Sequence, residues 1–369
     1  MGNKWYRAYI AAFLILCMLG VLAMPFAGKD ETSENRRLAS FPPLVRDGRP
    51  NPSWPAEFEA WLDDHIGLRA HYAEAYAKAL YRLGASADEQ VIIGKDGWLY
   101  YAPTLPDYTG VGAPDEGERR QIRRMLEDVG KRLEAEGTRF AVLVAPNKNS
   151  IYPEYMPGAY PRAARSPYPP EERCGVPRIA VEEALRGRAE EELYYKTDTH
   201  WNERGARIAA ALCIEQINAL CGSEAPVPDP LAACMAAGEH TGDLAKMLFP
   251  IHTPTEPRVA YADDEERYQA VGRYKSNEDI TIRTAGGAEN LHVLVLRDSF
   301  CDALIPYLSN AFDKVCYSRA WPPVIDASEN YDIVVLEIAE RRLMELAESP
   351  IAILGASPPP ETAKQSDGG

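Results

Sequence analysis

The sequence predicts an α/β protein, a mainly parallel sheet with helices on both faces, preceded by an N-terminal transmembrane helix. Two observations carry this reading. Beyond residue 115, continuous apolar runs such as TRFAVLVAP (138–146), LHVLVL (291–296) and YDIVVLEIA (331–339) alternate with amphipathic stretches. That is the pattern of strands buried on both faces and covered by helices. Ahead of them, YIAAFLILCMLGVLAMPFAG (9–28) runs without a charge after Lys4 and Arg7. A run of roughly 20 apolar residues can cross the hydrocarbon core as a helix.

Taken in order, residues 1–28 form a cytoplasmic stub and signal anchor. Cations in front of the span and KDETSENRR behind it place the body outside the cytoplasm. A cleaved signal peptide with Val21-Leu22-Ala23 as its small-residue site is the competing reading. Cys17 lacks the small residue expected before a lipidated cysteine. Residues 29–54 read as a tether, 55–345 as the folded body and 346–369 as a disordered tail. PAEFEAWLDDHIGLRAHYAEAYAKALYRLG (55–84) has helical spacing with Gly84 as its stop. VIIGKDGWLYY (91–101) predicts a hairpin turning at Asp96-Gly97. Helices are expected over 117–137 and 203–221, a helix and a short strand within 176–200, and strands over 138–146, 291–296, 311–318 and 331–339. The last is followed by a helix.

The net charge of −15 argues against a nucleic-acid partner, which requires a concentrated basic face. Six of the seven cysteines lie in the exported part: Cys174, Cys213, Cys221, Cys234, Cys301 and Cys316. An even number outside the cell permits disulfides, with fifteen connectivities open; their spacing suggests no zinc site, and their plainest role is as small core residues with up to one bridge. No cofactor is expected.

Ligand crevices of open parallel sheets lie beyond the carboxyl ends of the strands, so reactive residues are sought there. Three places qualify. Arg297-Asp298-Ser299-Phe300 follows LHVLVL, where a serine is either a nucleophile beside helix-terminal N–H groups or part of a helix N-cap. VAPNKNSIYPEY follows TRFAVLVAP and brings Asn147, Lys148 and Tyr152 to a loop that can contact substrate or an oxyanion. TDTHWN places Asp198 and His200 on the same side of an extended chain, as an orienting carboxylate and its base require, or as a buried structural pair would be placed. Together they supply the three residues of an acyl-transfer site. A metal-dependent hydrolase, with Asp198 and His200 joined by His240 and Asp243 of GEHTGDL, is a rival reading, although GEHTGDL itself reads as a turn with a packing role.

The motifs VIIGKDGWLYY, VAPNKNSIYPEYMP, TDTHWNERGA, TGDLAKM, LVLRDSF and DIVVLEIAERRL occur in that order. The set resembles the SGNH-hydrolase-like domain of the AlgX/AlgJ alginate O-acetyltransferases and the related DHHW proteins, over roughly residues 55–345. The resemblance implies an exported acyltransferase acting on an extracellular glycan. Its partners would be a polysaccharide acceptor and a multipass membrane O-acyltransferase that relays the acetyl group. It also implies that Ser299 is the nucleophile, His200 its general base and Asp198 the carboxylate that orients the base. Acetyl esterase and catalytically weak glycan-binding subunit are the alternatives. One residue departs from the family pattern: Arg297 stands where Gly-Asp-Ser is usual, where it would narrow the pocket, bind an anionic glycan or mark an altered site.

Overall fold

The computed structural model describes residues 2–24, 38–111, 114–163, 175–263 and 265–355. It divides into two compact units, Met1–Asp88 with Lys246–Thr253, and Glu89–Ala245 with Pro254–Gly369.

The first unit holds the apolar helix Gly2–Ala23 and a two-stranded hairpin, Val45–Arg46 with Arg49–Pro50. The single helix expected over 55–84 is two, Trp54–His65 and Arg69–Arg82. The break falls at Gly67-Leu68, where Leu68 takes a left-handed φ of 64° that no continuous helix accommodates. Gly84 does end the second helix, at φ 73°. Buried Glu74 accepts from the main-chain N–H groups of Ile251 and His252, both at 2.9 Å. Of the expected tether, residues 38–54 include the hairpin; 29–37 lie outside the described residues.

The second unit is built on a seven-stranded sheet. Its strands are β1 (Arg139–Ala145), β2 (Arg178–Ile179), β3 (Gln269–Ala270), β4 (Thr281–Ala285), β5 (Glu289–Leu296), β6 (Phe312–Ser318) and β7 (Ile333–Ala339). Their spatial order is β2-β1-β7-β5-β6-β4-β3. The first five in that order are parallel, and β4 and β3 extend the far edge antiparallel. The sheet is therefore mainly parallel, as the sequence predicts. β3 and β4 were not foreseen, because TIRTA lacks the continuous apolar character of its neighbours.

Alternation along β1, β5 and β7 feeds two cores. Ala141, Leu143, Val293, Val295, Ile333 and Val335 face one side, with Ile208, Ala209, Ile214 and Ile217 of helix α2 (Glu203–Cys221). Phe140, Val142, Leu294, Leu296, Val334 and Leu336 face the other, with Ile122, Leu126, Val129 and Leu133 of helix α1 (Glu116–Ala135). Each helix starts where its chemistry dictates. Asp115 and Glu118 form a reciprocal capping box for α1, and the Asn202 side chain accepts from Arg204 N and Gly205 N to cap α2. Gly205 is required by close approach: a Cβ there would lie 2.3 Å from the Leu193 carbonyl oxygen.

Two expectations need correction. Order continues past residue 345, through the short helix Glu345–Glu348 and the strand Ala352–Leu354, which pairs in parallel with Val324–Asp326. Burial of Leu346 and Ile351 holds this segment in place; the remainder of the expected tail, 356–369, lies outside the described residues. GEHTGDL is not simply a turn either. Cys234–His240 is a strand paired with Glu256–Tyr261, and a helix begins at Asp243. Among the described residues Cys213, Cys221, Cys234, Cys301 and Cys316 are free, and Cys174 lies outside them.

Candidate active site

β5 ends at Leu296, and the chain turns through Arg297 and Asp298 into the short 3-10 helix Ser299–Ala303. Asp298 fixes this turn from both sides. Its carboxylate caps the 3-10 helix by accepting from Phe300 N at 2.9 Å and accepts from Ala339 N, the last residue of β7, at 2.7 Å. Ser299 emerges half-buried at the carboxyl end of the sheet.

Asp198 and His200 arrive from the TDTHWN segment just before α2. His200 Nε2 lies 2.8 Å from Ser299 Oγ, and His200 Nδ1 lies 2.7 Å from Asp198 Oδ1. The carboxylate is a poorer proton donor than the imidazole, so Nδ1–H donates to Asp198 and Nε2 is left as the acceptor facing the serine. The structure thus brings Ser299, His200 and Asp198 together in one hydrogen-bonded row. Trp201 fixes the same junction by donating from Nε1 to the Phe300 carbonyl at 3.1 Å.

Asp198 is buried and saturated with donors. Oδ1 also accepts from the His200 main-chain N–H at 2.9 Å; Oδ2 accepts from His240 Nε2 at 2.8 Å and from Asp243 N at 3.0 Å. Burial alone would raise its pKa, but these bonds, led by the two histidines, hold it below the ordinary carboxylate range. Burial likewise disfavours the charged imidazole of His200, yet the Asp198 bond and charge outweigh it and leave its pKa raised. Asp243 is pushed the other way, upward, by burial and by the charge of Asp198. His240 stacks on Tyr195 with ring centroids 3.9 Å apart, which sets the direction of its Nε2. Gly242 lets this segment approach: a Cβ there would meet the Thr197 carbonyl oxygen at 2.1 Å.

The loop after β1 has a different character from the one its sequence suggests. Lys148 is buried, and its ammonium donates all three protons to carbonyls, at Tyr195 (3.1 Å), Lys196 (3.0 Å) and Asp198 (2.5 Å). Burial pulls its pKa down to about 8. The Tyr152 hydroxyl accepts from Leu193 N at 2.6 Å deep in the core. Both residues are buried and brace the Asp–His segment from behind. Asn147 N donates to Glu340 Oε2 at 2.8 Å, and its Nδ2 donates to Asp107 at 3.1 Å. Its side-chain oxygen Oδ1 has no partner.

Arg297 is corrected most firmly. Its side chain is 0% exposed, and its guanidinium donates to Asp302 and to the carbonyls of Asn277 (2.7 Å) and Asp279 (3.1 Å). It neither narrows a pocket nor reaches a glycan; it ties the turn below Ser299 to the 277–279 loop.

His240, Asp243, Asn149, Glu340 and Arg341 complete the surroundings. The first two, which the sequence offered only as candidate cation ligands, stand here as hydrogen-bond donors to Asp198.

A family model described as SGNH hydrolase-like domain, acetyltransferase AlgX, matches residues 91–295, more than half of the chain, with Asp198 and His200 inside the span. The chain belongs to this family. Ser299 falls just beyond the matched span and is joined to it by the hydrogen bond to His200. The protein named probable alginate O-acetylase AlgJ of Pseudomonas syringae pv. tomato is 23% identical over 251 residues, 65% of this chain and 59% of its own length. Its namesake in Pseudomonas aeruginosa is 25% identical over 197 residues, 52% of this chain and 49% of its own length. The chain therefore spans only about half to three fifths of these relatives. Among solved structures, Bacillus cereus PatB1 with a sulfonyl adduct superposes with a TM-score of 0.51 at 17% identity, covering 69% of this chain and 97% of that one. At that identity the likeness is one of fold.

Proposed function

We propose that the chain is a membrane-anchored O-acetyltransferase that moves acetyl groups onto hydroxyls of an extracytoplasmic polysaccharide. The observation that carries this reading is His200 bridging Ser299 and Asp198 at 2.8 and 2.7 Å. Membership of an acetyltransferase family and relatives named alginate O-acetylases support the group transferred and the class of acceptor.

In the first half-reaction Ser299 Oγ attacks the donor's acetyl carbonyl while His200 Nε2 takes the hydroxyl proton. The imidazolium, balanced by Asp198, then protonates the leaving group as the C–O bond to the donor breaks. In the second, a sugar hydroxyl gives its proton to His200 and attacks the acyl-serine; Ser299 leaves and recovers that proton. A multipass membrane O-acyltransferase would act as the donor relay. The unit Glu89–Ala245 with Pro254–Gly369 supplies every residue in this scheme.

The test is acetyl transfer from an activated ester to a panel of glycans, with Ser299→Ala beside the wild type. The wild type is expected to gain one acetyl group on Ser299 and pass it to a glycan, whereas the alanine variant does neither. Full activity in the variant would sink the acyl-serine proposal. Release of acetate to water at the same rate with and without glycan would favour an acetyl esterase, and no turnover by either protein a binding subunit.

The metal-dependent reading retains one supporting observation. Ligand atoms of Asp198, His200 and Asp243 lie within 4.8 Å of one another. The donor set fits a cation poorly, because Asp198 Oδ1 already holds the proton of His200 Nδ1. Chelation separates the two: serine chemistry persists after EDTA and dialysis.

A further inference from the structure

Beside the triad lies a recess of about 210 Å³, open mouth included, whose wall includes Asn147, Asn149, Thr199, Arg341 and Lys148, the last with its three protons committed to main-chain carbonyls. Its inner space is that of a single small polar group. Thr199 stands between Asp198 and His200 in the chain, and the Arg341 guanidinium carbon lies 5.5 Å from the ring centroid of Phe300, which follows Ser299. The positive charge of Arg341 reaches His200, where it opposes protonation.

Three buried polar atoms of this wall have no partner: Asn147 Oδ1, Asn149 Oδ1 and Arg341 Nη1. Both asparagines are 1% exposed. Their amide orientations follow from their neighbours. Asn147 Nδ2 donates to the Asp107 carboxylate, which only accepts. Asn149 Nδ2 donates to Thr104 Oγ1 at 2.8 Å, and that hydroxyl has committed its proton to the Tyr101 carbonyl at 2.7 Å. Each asparagine therefore turns a carbonyl oxygen, not an NH2, toward an unfilled position. A buried polar atom without a partner is costly, and such atoms rarely gather by accident.

We propose that this recess is a subsite for a second hydroxyl of the acceptor sugar, next to the one that is acetylated. The inference rests on the acyl-transfer reading above and names what that site recognises. A hydroxyl is the complementary group: its oxygen accepts from Arg341 Nη1 and its one proton goes to an asparagine oxygen. A carboxylate would satisfy Arg341 but repel both carbonyls, and an ammonium would do the reverse. The recess thus reads a polyol face and holds the neighbouring hydroxyl toward His200.

The experiment uses the full chain and two glycoside acceptors, one with a vicinal diol and one lacking a hydroxyl beside the reacting position. Acetylation of Ser299 by an activated ester is followed by mass, transfer by acetylated product, and binding of both acceptors by calorimetry on Ser299→Ala. The wild type is expected to favour the diol on the order of tenfold in transfer and in binding. Asn149→Ala and Arg341→Lys raise KM for the diol and treat the two acceptors alike, while Ser299 is acetylated at the wild-type rate. Three results overturn the proposal: no preference in the wild type, meaning the recess holds water only; a preference that survives both variants; or an Arg341→Lys loss confined to Ser299 acetylation, which would assign the guanidinium to the acyl carbonyl. Failure of the wild type to form an acetyl-serine instead sinks the acyl-transfer reading, and the binding preference still decides the recess.

Discussion

Four N–H groups converge on the two carboxylate oxygens of Asp198, two of them from histidine rings. An orienting carboxylate needs only one such bond; the other three fix its plane, so that Oδ1 is aimed at His200 and Oδ2 is turned away from it. This arrangement keeps Asp198 ionised and raises the pKa of His200. The base must be neutral to act, so a raised pKa moves the acid limb of the rate profile to higher pH than an ordinary imidazole near 6.5 would give. Asp198→Asn is expected to lower kcat on the order of 10³-fold or more and to shift that limb toward lower pH. A kcat–pH profile of the two proteins checks it, and an unshifted limb would show that another group sets the profile. Arg297 teaches the reverse lesson about a single position. It looks functional beside a serine, yet its charge is matched by Asp302 and two carbonyls within the protein. Long side chains declare their chemistry in sequence but not their direction.

At the scale of elements, the loop after β1 is coupled to the segment after β7 through Glu340, which accepts from Asn147 N at 2.8 Å and Ser150 Oγ at 2.7 Å. Burial pushes the Glu340 carboxyl up to about 7. An acid whose folded pKa exceeds its unfolded value near 4.3 stabilises the fold fully below that value and loses this contribution as pH rises through about 7. Glu340→Gln keeps the shape without the titration, so its denaturant midpoint is expected to fall less than the wild type's between pH 5 and 8. Equal slopes would refute the coupling. The elements that carry these residues were legible because β1, β5 and β7 are continuous apolar runs and α1 and α2 keep a helical period. The hairpin at 91–101 was equally plain from Asp96-Gly97. Elements held mainly by partners distant in sequence were not: the strand Cys234–His240 is mostly exposed, and its identity comes from its pairing with Glu256–Tyr261. That is why Ser299, His200 and Asp198 could be proposed together from sequence, while the bond from His240 to Asp198 and the Asn149–Arg341 recess required coordinates.

For the whole molecule, the helix Lys4–Ala23 is 20 residues long with a mean hydropathy of 2.0, enough by length and composition to cross a bilayer. The acidic body then works as a tethered catalyst on the outer side of the membrane, on the proposed reading. Full-length protein is expected in the membrane fraction after high salt and carbonate washing, and deletion of residues 1–24 is expected to release it while leaving Ser299 acetylation intact. Recovery of a mature N-terminus just after Ala23 would instead identify a cleaved leader. The hydrogen bond between His200 and Ser299 spans 99 positions of chain. Synthesis runs from the N-terminus, so Asp198 and His200 are made well before the serine they serve. On the proposed reading, a chain still being made holds a base with nothing to activate, and its serine, once present, stays an ordinary alcohol until β5 enters the sheet. Reactivity then waits on the sheet's own assembly.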